Sequence, residues 1–340
     1  MGSIGVLTAG GDCPGLNAAI RGVVTRITAA GREVIGISEG WEGLMGGTAG
    51  PLTRDDVRGI LGRGGTILGT SRQDPYVHGD GYESIREKVE ALDIESVVVI
   101  GGDGSLRTAA QLQADGFPVV GIPKTIDNDI GGTDVSLGFH TAVQIVVDAI
   151  DRLTTTAESH NRVMVVEVMG RTAGWIAVGG GMAGGAEAIL VPEVEVDYED
   201  LAARIQARHE SGPNYSLVVV AEGTPGPSGG VSSTGTDQYG FARIGGVCQS
   251  VAKELERLTG YESRPVMLGY LQRGGSPTAF DRILGTRFGI HAAELALDGQ
   301  SGVMVALQGE DIVPVDMASA VEEPRNLDIS RFEEVSWFLA

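Results

Sequence analysis

Short β-branched apolar runs alternate with amphipathic stretches along the whole chain. The runs predict strands over 4–7, 33–37, 96–100, 119–122, 162–168, 188–191, 216–221, 266–269 and 303–307. Apolar positions at helical spacing predict helices over 18–30, 82–91, 106–114, 141–154, 200–209, 246–258 and 286–297. The strand runs are continuously apolar rather than alternating, which implies sheets covered on both faces and strands that are largely parallel. Sustained β/α alternation over 340 residues predicts an α/β protein, doubly wound, in two lobes.

Composition narrows the range of functions. The 53 glycines follow no collagen-like period, so they serve turns and close backbone approach. A net charge of −20 excludes nucleic acid as the main partner. It leaves room for a small anion, because a few arginines in a cleft reverse the local potential. Two cysteines, Cys13 and Cys248, exclude a disulfide framework and a Cys-rich zinc site, and they fit a reducing cytoplasm. The N-terminus enters a strand-like run directly, so no secretory leader is expected. No apolar stretch is long enough to span a bilayer, so no membrane partner is expected. Residues 223–239, rich in Gly, Pro, Ser and Thr, predict a loop, read either as an inert insertion or as a lid.

The chemistry-bearing residues gather just after predicted strands, where open α/β sheets bind ligands. After 119–122 come Lys124, Thr125, Asp127 and Asp129. If this segment is extended, Thr125, Asp127 and Asp129 share one face. The structural alternative is an Asx-type turn. One carboxylate could hold a metal while its neighbour takes a proton from a hydroxyl, as phosphoryl transfer requires. Residues 10–17, Gly-Gly-Asp-Cys-Pro-Gly-Leu-Asn, form either a tight βα turn or a phosphate cradle at a helix N-terminus. There is no Gly-Lys-Ser/Thr ending, so this is not a Walker A loop. Gly101-Gly102-Asp103-Gly104-Ser105 repeats the arrangement. Asp103 could hold Mg²⁺, and Ser105 could cap the next helix or donate to a phosphate. Met169-Gly170-Arg171, Glu222-Gly223 and Tyr270-Leu271-Gln272-Arg273 each follow a predicted strand, and Arg72, Arg162 and Arg264 stand near strand boundaries. Singly, each arginine is equally well a surface ion pair. Together they suggest a polar cleft suited to a phosphorylated sugar.

These motifs, in this order, resemble the bacterial-type 6-phosphofructokinases over nearly the whole chain. The resemblance rests on residues 10–17 and 101–105, Pro-Lys-Thr-Ile-Asp-Asn-Asp at 123–129, Val-Glu-Val-Met-Gly-Arg at 166–171, and Leu-Gln-Arg-Gly-Gly-Ser-Pro at 271–277. It implies a cytoplasmic glycolytic kinase with a phosphoryl-donor lobe over 1–138 plus 272–322. A fructose 6-phosphate lobe would cover 139–271 plus 323–340, with the active site in the cleft between them. Asp127 would be the general base toward the 1-hydroxyl. Thr125, Arg171 and Arg72 would stabilise the transferring group, and Asp103 and Asp129 would hold Mg²⁺. Gly11, Arg72, Gly102, Asp103, Gly104, Ser105 and Lys124 would bind the donor. Thr125, Asp127, Asp129, Met169, Gly170, Arg171, Glu222, Tyr270 and Arg273 would bind the sugar, with Arg162 and Arg264 coming from a neighbouring subunit. The natural partner is therefore a second copy of the chain, in a homotetramer or a homodimer. Tyr270 departs from the histidine usual in ATP-using members.

The donor residues are mixed. ATP-using members resemble this chain at Gly104, where pyrophosphate-using members carry an aspartate that would repel the ATP α-phosphate. Lys124 is the residue pyrophosphate users favour. Exclusion by bulk and like charge outweighs an added cation, so ATP is the expected donor and pyrophosphate the alternative. A nicotinamide dinucleotide kinase would leave most of the motifs without a role. A non-catalytic nucleotide sensor would have no need of Asp127 and Arg171. Arg21, Arg54 and Glu187 match the family's effector pocket, whereas Thr25, Thr154, Ser211 and Pro213 stand where basic residues are usual. Weak regulation by phosphoenolpyruvate or ADP is expected, and a clear sigmoidal response to phosphoenolpyruvate would overturn it.

Overall fold

The computed structural model describes residues 2–236, 242–330 and 332. In chain order the first elements are β1 (Ser3–Ala9), α1 (Leu16–Ala29), β2 (Val34–Ile37), β3 (Ala49–Pro51), α2 (Pro75–His78), α3 (Glu83–Ala91), β4 (Ile94–Gly101), α4 (Asp103–Ala114) and β5 (Val119–Pro123). They are followed by α5 (Phe139–His160), β6 (Val163–Val168), α6 (Trp175–Gly184), β7 (Ala188–Leu190), α7 (Tyr198–Ser211), β8 (Ser216–Ala221), β9 (Ser233–Thr236), β10 (Ala242–Ile244), α8 (Val247–Thr259) and β11 (Ser263–Met267). Last come α9 (Ala279–Leu297), β12 (Val303–Gln308), β13 (Asp311–Asp316) and α10 (Met317–Glu322).

The chain forms two compact units. Unit 1 holds the residues up to Thr141 together with Arg273–Arg325, and unit 2 holds Ala142–Gln272 and the described residues after Arg325. Trp337 and Phe338, whose large apolar side chains suggest from the sequence that the final segment packs, lie outside the described residues.

Unit 1 is built on a seven-stranded sheet in the order β13-β12-β5-β4-β1-β2-β3. The interior strands pair in parallel, and each edge strand is antiparallel to its neighbour. The chain runs outward from β1 to β3 and then returns to place β4 on the other side of β1. That makes the β1/β4 gap the topological switch point, where the loops after both strands diverge and leave a crevice. The strands are apolar on both faces because helices cover both. Val97, Val98, Val99 and Ile100 of β4 are all fully buried. On one face α1 and α9 pack backbone to backbone: a β-carbon at Gly22 would stand 2.7 Å from the Thr286 carbonyl oxygen.

Unit 2 carries an all-parallel four-stranded sheet, β11-β6-β8-β7. Its core joins Val163, Val165, Val218 and Val220 to the apolar faces of α7 and α8. The segment expected to be loop over 223–239 contains structure: β9 pairs with β10 in an antiparallel hairpin. The expected loop's last residues, 237–239, lie outside the described residues. β11 begins three residues before the predicted 266–269 strand. It lies at a sheet edge, where Pro265 costs no ladder hydrogen bond that a neighbour requires.

Candidate active site

In unit 1 the switch point brings together four segments. The Gly10 amide donates to the Ser71 carbonyl at 2.9 Å, and Thr70 Oγ1 donates to the Gly10 carbonyl at 2.7 Å. This pair of bonds carries Arg72, which is exposed, beside the 10–15 turn. A β-carbon at Gly10 would lie 3.2 Å from Ser105 Oγ and 3.7 Å from Lys124 Nζ, so residues from three strand ends converge there.

Both helices that start at this crevice lack a side-chain cap. α1 begins after Gly15, at φ 112°, and α4 after Gly102, neither with a capping hydrogen bond. Their first-turn amides are available to an anion, which the helix dipole favours. Ser105 is therefore not the cap that its sequence context allows. It sits inside the first turn of α4, with Oγ toward Gly10 and Gly101. Gly104 is open: apart from its chain neighbours and the backbone of its own helix, nothing lies within 4 Å of where its β-carbon would stand. Asp103 opens α4 and forms an i,i+4 ion pair with Arg107 at 3.1 Å.

Lys124 is only 3% exposed. Its ammonium donates to the Gly11 carbonyl, and burial draws its pKa down to about 8. Arg273 stands on the same turn. Its Nη1 donates to the Asp12 carbonyl at 3.2 Å and would be 2.7 Å from a β-carbon at Gly11.

Beyond Lys124 the chain turns instead of extending. Thr125 Oγ1 accepts the Asp127 amide at 3.1 Å. Asn128 takes the left-handed conformation at φ 56°, and its Oδ1 accepts the Ser136 amide at 2.9 Å. The expected common face of Thr125, Asp127 and Asp129 is thus replaced by a turn that buries Asp127 to 4% exposure and leaves Thr125 and Asp129 half-buried. Side-chain bonds to nearby backbone compete with extension, and here they prevail.

In unit 2, β6 and β8 are neighbours and end side by side. The Arg171 amide donates to Glu222 Oε1 at 3.1 Å, and Glu222 is buried. Arg171 itself holds φ 51°, a conformation that costs a non-glycine residue energy and is concentrated at functional sites. The Met169 amide donates to Gln272 Oε1 at 3.2 Å, and Gln272 is fully buried. Gln272 had no assigned role in the sequence; a glutamine beside an arginine gives no signal of burial. Gly170 lies two residues beyond the end of β6. Tyr270 is 80% exposed.

Arg162 and Arg264 are joined by one carboxylate. Arg162 Nε donates to Glu262 Oε2 at 2.7 Å, and Arg264 donates to Glu262 Oε1. Arg162 immediately precedes β6 while Met169 follows it, so the two occupy opposite ends of the strand. At ~3.3 Å per residue that is a separation of roughly 23 Å.

The switch-point order of unit 1, with two open helix starts at its crevice, defines a doubly wound α/β protein built to receive anions. Residues 3–296 match the family model described as phosphofructokinase, and the chain belongs to that family. It is 50% identical over 339 residues to ATP-dependent 6-phosphofructokinase 3 of Streptomyces coelicolor, covering 99% of each chain. It is 51% identical over 340 residues to the pyrophosphate–fructose 6-phosphate 1-phosphotransferase of Amycolatopsis methanolica, covering 98% of this chain and 99% of that one. Among solved structures it resembles Pichia pastoris phosphofructokinase in the T-state, with TM-score 0.84 and 31% identity. That match covers 99% of this chain, which spans 39% of the solved one. No helix among the described residues is long and apolar enough to cross a membrane.

Proposed function

We propose that this chain transfers the terminal phosphoryl group of ATP to the 1-hydroxyl of fructose 6-phosphate. The observation that carries the reading is the crevice of unit 1: an open α4 start at Gly104, with the Lys124–Asp129 turn at the adjacent strand end. Asp127 takes the proton of the sugar hydroxyl. The freed oxygen attacks the terminal phosphorus in line, and the bond to the ADP oxygen breaks. Thr125, Arg72 and Arg171 hold the equatorial oxygens as charge redistributes. The sugar is bound by Met169, Gly170, Glu222 and Tyr270. Arg273, pinned to the Asp12 carbonyl, contributes charge from the donor turn.

Asp103 and Asp129 offer the oxygen donors that Mg²⁺ prefers. Two carboxylates form an incomplete shell that donor phosphates and water would complete. When bound, Mg²⁺ would offset negative charge on the donor.

Lys124 favours pyrophosphate as a second reading. A buried ammonium beside the Gly10 turn can grip a small inorganic donor directly. Curated relatives of both kinds, at 50% and 51% identity, leave the choice to the residues themselves. The test is the rate of fructose 1,6-bisphosphate formation with Mg²⁺ and either donor. Turnover with ATP alone is expected. Turnover with pyrophosphate alone would mean that Lys124 outweighs the open space at Gly104.

A further inference from the structure

Asp281 lies outside the residues so far assigned to the reaction, yet it is a carboxylate with 0% exposure. A buried carboxylate is costly unless its oxygens are satisfied. Here they are: Oδ1 accepts the Gly138 amide at 2.9 Å, while Oδ2 accepts the Thr141 amide at 2.8 Å and Thr141 Oγ1 at 2.5 Å. Asp281 belongs to the first turn of α9, where Thr278 Oγ1 accepts its amide at 3.4 Å. The Thr278 amide in turn donates to Thr141 Oγ1 at 3.1 Å. One side chain therefore ties the start of α5 to the start of α9.

The segment it fixes, 136–138, is the strut between the two functional loops. Leu137 donates its amide to the Pro123 carbonyl at 3.0 Å and bridges Lys124 in parallel register. Ser136 Oγ donates to the Thr125 carbonyl at 2.7 Å, and its amide reaches Asn128. On the other side, Cys13 Sγ donates to the Leu137 carbonyl at 3.3 Å. Gly138, at φ 100°, has no space for a side chain: a β-carbon would meet Cys13 Sγ at 2.5 Å and Ile126 Cγ2 at 3.4 Å. A displacement of Gly138 is thus transmitted to both the 10–17 turn and the 124–129 turn.

We propose that Asp281 is a positioning residue for phosphoryl transfer, setting the Lys124–Asp129 turn against the Gly10–Asn17 turn through the 136–138 strut. The proposal rests on the kinase reading above. Its effect falls on kcat, because it governs the alignment of Asp127 rather than any contact with substrate. In Asp281→Asn the amide nitrogen must face the backbone N–H of either Gly138 or Thr141, both at the start of α5, which breaks one anchor while nearly preserving volume.

Two readouts on Asp281→Asn test it. In steady-state kinetics, kcat should fall by about 10²-fold, the scale of a 1 Å misplacement, with KM for fructose 6-phosphate unchanged. In alkylation by iodoacetamide mapped by mass spectrometry, Cys13 should label at least several-fold faster, with Cys248 in unit 2 unchanged. Thr141→Val, which removes the hydroxyl that donates to Asp281 and accepts the Thr278 amide but keeps the Thr141 and Gly138 amide bonds to Asp281, should show the same pattern more weakly and decides the question if Asp281→Asn does not fold. Unchanged kcat overturns the proposal, and so does an equal rise at both cysteines, which would mean general loosening. The labelling arm is independent of turnover. A wild-type chain inactive with either donor would refute the kinase reading while leaving the strut to be judged by Cys13 alone.

Discussion

Lys124 holds its proton against the cost of burial, and the balance tips at about pH 8. In the unfolded chain the same lysine stays charged up to about its ordinary value of 10.5. Between those two values the unfolded chain binds the extra proton, so this group's contribution to stability rises with pH across that window. Below pH 8 both states are charged and the full burial cost is present. Donor binding runs the opposite way, since only the ammonium form attracts phosphate. The KM for the phosphoryl donor should therefore climb as pH passes about 8, and Lys124→Met should give a higher, level profile. A level wild-type profile across that range would remove Lys124 from donor binding. The types and order of these residues were legible in the sequence, because strand ends are marked by where apolar runs stop. Their turn was not. Whether 125–129 extends or folds back depends on Ser136, whose bonds to Thr125 and Asn128 bridge a gap that local propensity does not register.

At the scale of elements, the buried parallel strands were legible because nothing but a doubly covered strand needs a run such as Val97–Ile100. α6 was not, since its sequence includes Gly-Gly-Gly, and glycine disfavours helix by about 1 kcal/mol against alanine. The helix forms because Gly180 and Gly181 are contact surfaces: a β-carbon at Gly180 would run into Val146 Cγ1, and one at Gly181 would come within 2.7 Å of Ile189 Cγ1 and 3.4 Å of Val219 Cβ. Close approach to the sheet outweighs intrinsic propensity. Gly181→Ala should accordingly lower stability by about 1–3 kcal/mol, the cost of overpacking, despite alanine's better helix propensity. The midpoint of thermal or denaturant unfolding measures this, and a stabilised variant would show that propensity governs α6 after all. The edge strands β3 and β13 escaped notice for a related reason. They are short or alternate toward solvent, and their antiparallel pairing follows from the sheet order rather than from their own composition.

For the whole molecule, the roughly 23 Å of β6 between Arg162 and Met169 poses a problem that one chain does not solve. If both bind the same fructose 6-phosphate, they would come from different copies, and the protein would work only as a homo-oligomer. Glu262 holds Arg162 and Arg264 as a pair, and on the proposed reading that pair would serve as a fork for a phosphate presented by another copy. Two variants separate the possibilities. Asp127→Asn should lose ~10²–10⁴-fold in kcat with the general base gone. Arg162→Ala should raise the KM for fructose 6-phosphate by ~10–10²-fold, the worth of a charge-assisted hydrogen bond. Each alone is then nearly inactive at low substrate. Co-expressed with different tags and purified through both, mixed oligomers contain sites with Asp127 from one copy and Arg162 from the other. Those sites are intact, so activity at low fructose 6-phosphate should return to a clear fraction of wild type. If each site were built from one chain, every site in the mixture would carry a defect, and co-purified oligomers would be no more active than the separate variants. Recovery would place the arginine pair in trans, where the length of β6 already points.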